Sequence, residues 1–127
     1  MVSDTFVPPA TDVVWNRACA DRGDGIGDRH LRALLLVHGM VMNGGSNHAA
    51  DSCKPVEIAA AAEACRYFGL HDLAALTREL PAAADSEDEE ERLDSSYAEL
   101  VPDDSTICDA FEARYAEAPE DFDTING

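Results

Sequence analysis

Four histidines and four cysteines are the side chains of this 127-residue chain best suited to holding a metal or forming a covalent intermediate. Their spacing argues against both. His30 and His38 are eight residues apart, about 80° around an ideal helix, and cannot chelate one ion by themselves. His48, Asp51 and Cys53 crowd one stretch and could meet His38, but that mixture of hard and soft ligands matches no standard zinc or iron set. Cys19, Cys53, Cys65 and Cys108 form no Cys-x-x-Cys pair, and no spacing puts a base beside Cys53 or Cys65 as a nucleophile would require. The run Ser86 to Arg92 lacks the alternating ligands and turn glycine of a calcium loop. The Asp21 to Gly27 stretch, DRGDGIG, lacks the preceding strand and third glycine of a phosphate-binding fingerprint. No catalytic residue, metal or cofactor is therefore assigned, and the chain reads as a non-enzyme. A small ligand- or metal-binding protein or enzyme using His38, His48, Asp51 and Cys53 is the alternative reading.

The elements that would position any site are helical. Leu31, Leu34, Leu35, His38, Val41 and Met42 recur at three- and four-residue steps, predicting a central apolar helix from Asp28, read as its cap, to a stop at Gly44. Before it, Thr11 caps a short helix, Asp12 to Ala20, that turns Val14, Trp15 and Ala18 inward. Trp15 is expected to pack on the central helix. After it, Gly44 to Lys54 reads as a loop. Pro55 then opens an alanine-rich helix ending at Gly69, with Ile58, Ala61, Ala62, Cys65 and Phe68 inward. A fourth helix, from His71 or Asp72 to Leu80, buries Leu73, Leu76 and Leu80 and stops at Pro81. Ser86 and Glu89 have capping-box spacing for a fifth helix carrying Leu93, Tyr97 and Leu100. A sixth runs from Asp104 or Ser105 to Ala118 with Ile107, Phe111, Tyr115 and Cys108 inward, and Phe122 folds back as a last anchor. No strand-like alternation or solenoid repeat is present.

Composition agrees with an all-α, single compact domain of five or six short helices around that central helix. Alanine carries much of the 46% hydrophobic content and aromatics only 6%, which favours close helix packing over a sheet sandwich. The expected organisation is a tail over residues 1–10, with Phe6-Val7 tucked on the body, a helical domain over 11–123, and a tail over 124–127. The N-terminus has no signal-peptide pattern and the longest apolar run is too short for a bilayer span, so a cytoplasmic protein with four mostly buried thiols is expected. The net charge is -17, and it is uneven: residues 1–78 are net -2 and residues 79–127 net -15. Such a field excludes direct nucleic-acid and anionic-lipid binding and favours basic partners.

The segment HGMVMNGGSNH, residues 38–48, resembles the Gly-x-Val-x-Asn-Gly-Gly stretch of a bacterial domain-of-unknown-function family typified by a DNA-mimic protein, matching at Gly39, Val41, Asn43, Gly44 and Gly45. Ala64 to Leu70 resembles that family's alanine-rich helix ending at glycine. Leu93 to Leu100 resembles its Leu-Asp-x-x-Tyr-x-x-Leu helix, and Tyr115 to Phe122 its closing Tyr-x-x-x-Pro-Glu-x-Phe. Where the family carries aromatics after the glycine pair, this chain has Ser46, Asn47, His48, Ala49 and Ala50, and Met40 replaces a usual acid. The bland reading of Asn43-Gly44-Gly45 is a helix end with a tight turn. The motif loop is taken as Asn43, Gly44, Gly45, Asn47 and His48.

The resemblance implies an acidic protein-binding module that occupies a basic or DNA-binding protein. Seventeen charges at the spacing of duplex DNA cover roughly 29 Å, and a compact chain of this length is roughly 36 Å across. The surface expected to bind is Glu87, Asp88, Glu90, Glu91, Asp94, Glu99, Asp103, Asp104, Asp109 and Glu112. An immunity-type inhibitor that blocks a toxin with the same face shares this physics, and ordinary solubility is the plain alternative. A homodimer would lengthen the charged face, although no residue demands one.

Overall fold

The computed structural model describes residues 9 to 125, so the expected Phe6-Val7 contact lies outside the described residues. Those residues form six α-helices and no strand: α1 (Ala10–Cys19), α2 (Ile26–Ser52), α3 (Pro55–Tyr67), α4 (His71–Glu79), α5 (Glu87–Leu100) and α6 (Ser105–Glu117). Short 3-10 turns, Leu80–Ala84 and Pro119–Asp121, follow α4 and α6. The chain is one helical domain with α2 at its centre, against which α1, α3, α5 and the first 3-10 turn all pack.

Leu31, Leu34, Val37, His38 and Val41 give α2 its buried face. Ile58, Ala61, Ala62, Ala64 and Cys65 meet it from α3, where the small alanines let the two backbones come close. Leu73, Leu76 and Leu80 are buried as the leucine spacing requires, as are Leu93, Tyr97, Ile107, Phe111 and Phe122. Phe111 gathers Trp15, Phe68, Tyr115 and Phe122 around it with ring centroids 5.7 to 6.4 Å apart. Trp15 thus finds its aromatic neighbour on α6, and it stays half-buried.

Several sequence expectations are corrected. Met42 is 55% exposed, although the apolar period includes it. Leu35, Leu100 and Tyr115 are only half-buried. Thr11 does not cap α1: the helix begins at Ala10 after Pro9, with no side-chain cap bond. Only Cys53 and Cys65 are buried; Cys19 is exposed, Cys108 is half-exposed, and all four thiols are free.

Asp28 is not a cap either. It lies inside the first turn of α2, fully buried, and its carboxylate receives Arg17 at 2.8 Å and the Asp123 N–H at 2.6 Å. The same Arg17 donates to the Asp123 carbonyl at 2.8 Å. A buried charge of this kind is tolerable only when paired and hydrogen-bonded, and here the pairing ties the end of the chain to the start of α2. Phe122 completes the clasp. A Cβ on Gly27 would stand 2.5 Å from its ring, so only glycine lets the ring seat on that turn.

The largest departure concerns the second loop. Helical backbone continues from Asn43 through Ser52, interrupted only at Gly45, where φ is 82° and ψ is -176°. Gly44 is therefore not the stop, and the expected loop Gly44 to Lys54 shrinks to Cys53 and Lys54. Lys54 does precede α3, and its N–H donates to the Glu57 carboxylate at 2.7 Å.

Candidate interaction surface

The acidic start of α5 follows from local chemistry. Ser86 Oγ accepts from the Glu89 N–H at 3.2 Å, and four carboxylates fill the first turn, where the helix dipole favours negative charge. The Glu89 side chain does not complete a capping box; it turns instead to Arg92 at 3.0 Å, and that bond draws the Glu89 carboxyl below its usual range. Arg92 also reaches Glu79 at 2.9 Å.

With Leu93 and Tyr97 turned inward, a wheel of about 100° per residue puts Glu87, Asp88, Glu91 and Glu99 on the outer side of α5. All four are exposed. Glu90 and Asp94 are half-buried and face the break in α2. Asp103, Asp104, Asp109 and Glu112 are exposed around the start of α6. Ser105 donates to Asp103 from both its hydroxyl and its N–H, the latter at 2.8 Å, which lowers the Asp103 carboxyl. Asp12 on α1 joins this group, since with burial, Glu112 and Asp109 it helps to push the Cys108 thiol up. Asp12 is not among the expected surface residues, and an interaction across 96 residues leaves no mark in local sequence.

The α5 and α6 carboxylates are two groups. The helices are not packed along each other: α5 lies on α2, α4 and the first 3-10 turn, while α6 reaches the core through Phe111. The chain between them, carrying Asp103 and Asp104, links the groups.

The Asn43-Gly44-Gly45 motif has a defined job in this fold. After Gly45 the Ser46 N–H of the resumed helix meets α5, where Asp94 accepts from it at 2.7 Å. Ser46 is fully buried, and its Oγ donates to the Glu90 carbonyl at 3.3 Å. Asn43 and Asn47 remain exposed, and Gly44, Asn47, His48, Asp51 and Glu90 line a shallow polar depression beside the break.

His38 is committed to the fold. Its ring is 5% exposed, with Nδ1 2.7 Å from the Tyr97 hydroxyl and Nε2 2.8 Å from Asp104. Burial first of all raises the Tyr97 hydroxyl, so it stays protonated as a hydrogen-bonding partner. His48 lies within 3.4 Å of Ser52 Oγ, and Cys53 is a buried thiol pushed up by burial and by Glu57. The alternative constellation of His38, His48, Asp51 and Cys53 is thus not assembled: the described residues contain no group of three or more His, Cys, Asp or Glu able to hold a metal ion. No helix among them is long and apolar enough to cross a membrane.

No curated protein and no solved structure matches the chain. The model of one family does match, over residues 26–126, from the first turn of α2 to beyond the clasp at Phe122. On that match the chain belongs to the family described as DMP19-like protein.

Proposed function

We propose that this chain is a DNA mimic: an acidic protein-binding module that occupies a basic or DNA-binding protein in place of nucleic acid. The family is one of DNA-mimic proteins, and the match covers most of the chain. The observation that carries the reading is that eight of the ten expected carboxylates, Glu87, Asp88, Glu91, Glu99, Asp103, Asp104, Asp109 and Glu112, are exposed. They sit on helices or at a helix start, which sets the spacing of the backbone positions they project from. From Asp88 to Glu99 the rise along α5 is about 16 Å, a reach over which duplex DNA presents about ten charges. The protein offers fewer charges, so recognition rests on a few well-placed carboxylates and weakens with salt, less steeply than binding of the duplex itself.

The test is retention of basic proteins on the immobilised chain across a salt series, with duplex DNA as competitor. Binding should weaken linearly on a log-log plot and be displaced by the duplex. A Glu87→Gln/Asp88→Asn/Glu91→Gln/Glu99→Gln variant should lose it. Retention that ignores salt, or that survives this variant, removes the reading.

A further inference from the structure

Asp104 stands immediately before α6, where an aspartate ordinarily caps the helix, yet its side chain makes no cap bond. The Ser105 N–H goes to Asp103 instead, at 2.8 Å. The Asp104 carboxylate turns back to α2 and meets His38 Nε2 at 2.8 Å. The two partners differ in setting: the His38 side chain is 6% exposed and that of Asp104 is 71% exposed. A buried histidine is thus tied to a carboxylate of the proposed binding face that lies open to a partner.

Proton positions follow from the donors and acceptors present. An ionised carboxylate only accepts, so Nε2 carries a hydrogen. Nδ1 lies 2.7 Å from the Tyr97 hydroxyl, which burial above all keeps protonated. That hydroxyl donates to the neutral ring and accepts from the charged one. Both contacts therefore exist in either state of His38, and a second proton changes the charge of the pair without dismantling it. The other charged or titratable groups on the elements around His38 are few. Cys19 of α1, Asp21 beyond it, Arg29 and Arg32 of α2 and Glu57 of α3 line the same open groove as His38 and Asp104, and Cys65 of α3 acts on Tyr97. Arg32 is paired with Asp21 at 2.9 Å, and the first 3-10 turn, Leu80–Ala84, brings no titratable side chain. Asp104 is the carboxylate bonded to the ring.

With His38 neutral, the pair carries the full charge of Asp104; with His38 charged, it sums to zero. A lysine or arginine of a partner seated on Asp104 then lies roughly 7 Å from a like charge, and at that distance in water one unit charge alters affinity about threefold. Histidine is the side chain whose ordinary range places such a change between about pH 8 and pH 5. We infer, resting on the DNA-mimic reading of this face, that His38 is a proton-operated control on it: neutral, it leaves Asp104 to a basic partner; charged, it withdraws Asp104 from that partner. By linkage, a cation seated on Asp104 opposes the second proton on His38 to the same degree.

The probe is a fluorescent decalysine peptide, titrated by anisotropy at one ionic strength at about pH 8 and about pH 5. Wild type should bind it more tightly at the higher pH. In His38→Gln, whose amide still donates to Asp104 but takes up no proton, the ratio of the two affinities should shrink about threefold. His30, His48 and His71 are present in both proteins, so their contribution cancels. Asp104→Asn should weaken binding about threefold at the higher pH. Saturating peptide should also move the NMR titration of the His38 ring to lower pH in wild type, a readout that needs no variant to fold. An unchanged ratio in a folded His38→Gln, full binding by Asp104→Asn, or a His38 titration blind to the peptide overturns the inference. In those cases salt-dependent binding at the higher pH leaves the mimic reading standing, whereas no binding there removes both.

Discussion

The Asp94 carboxylate lies 2.7 Å from the Ser46 N–H, so a side chain of α5 caps a segment of α2 that begins at a glycine break. A side-chain acceptor at a helix start contributes about 0.5–2 kcal/mol, and Asp94 is half-buried, where screening by water is reduced. Asp94→Ala should therefore lower stability by about 1–2 kcal/mol in urea unfolding. Asp94→Asn keeps an acceptor and should lose less than half of that. Asparagine keeps both the shape and an acceptor, so equal losses from the two variants would mean that the negative charge, not the hydrogen bond itself, holds the junction.

Gly45 should tolerate no side chain. With φ at 82° and ψ at -176° it occupies a region that other residues enter only under strain of about 1–3 kcal/mol. A Cβ there would also press to 3.3 Å from the Asp94 carboxylate. Gly45→Ala should cost about 2 kcal/mol or more, and backbone amide exchange should quicken from Ser46 to Ser52. Unchanged exchange in that segment would sink the idea that the break and the cap act as one unit.

Why the chain itself reveals some of this and hides the rest is visible at particular residues. Pro55 and Pro81 set helix boundaries by local sterics, and the leucine spacing of α4 names its buried face, so both are legible in sequence. The passage through Gly45 is not. Two glycines look like an end unless Asp94, forty-eight residues beyond Ser46, is known to supply the acceptor that restarts the helix. Asp28 likewise looks like a cap in sequence because its partners Arg17 and Asp123 are distant, the latter by ninety-five residues. The acidity of α5 is plain in sequence, whereas the inward turn of Asp94 and the separation of α5 from α6 are properties of packing.

The seat of Phe122 on Gly27 gives a coupled pair. Phe122→Ala removes a buried ring and should cost about 3–5 kcal/mol. Gly27→Ala should also destabilise strongly, because its Cβ would stand 2.5 Å from that ring. With the ring gone the clash is gone, so Gly27→Ala should cost little in the Phe122→Ala background. A double-mutant cycle should show strong coupling; additive losses would place the two effects at separate sites.

Burial pushes the Cys65 thiol up to about 11 from an ordinary value of 9.0. The folded state therefore keeps a proton that the unfolded chain releases, so stability is whole below pH 9 and falls as pH rises from 9 towards 11. Between pH 9 and 10 this one group should account for up to about 1 kcal/mol. Tyr67, pushed up to about 12 mainly by burial, adds its own loss only above pH 10. Cys65→Ala should be less stable at pH 7 but show a flatter decline between pH 9 and 10. An equally steep decline would assign the alkaline loss to other groups.

Arg92 is the positive charge amid the outer carboxylates of α5, and it holds Glu79 and Glu89 at 2.9 and 3.0 Å. Exposed pairs of this kind contribute little to folding, so Arg92→Gln should leave the melting temperature nearly unchanged. Its effect should fall on binding. The substitution releases two carboxylates and removes a repulsive cation, so affinity for a basic partner should rise at low salt and the salt dependence should steepen. If affinity falls instead, Arg92 is itself a contact, and the number of free carboxylates is not what the partner reads. The same comparison made on a folded, thermally unchanged protein separates that outcome from damage to α5.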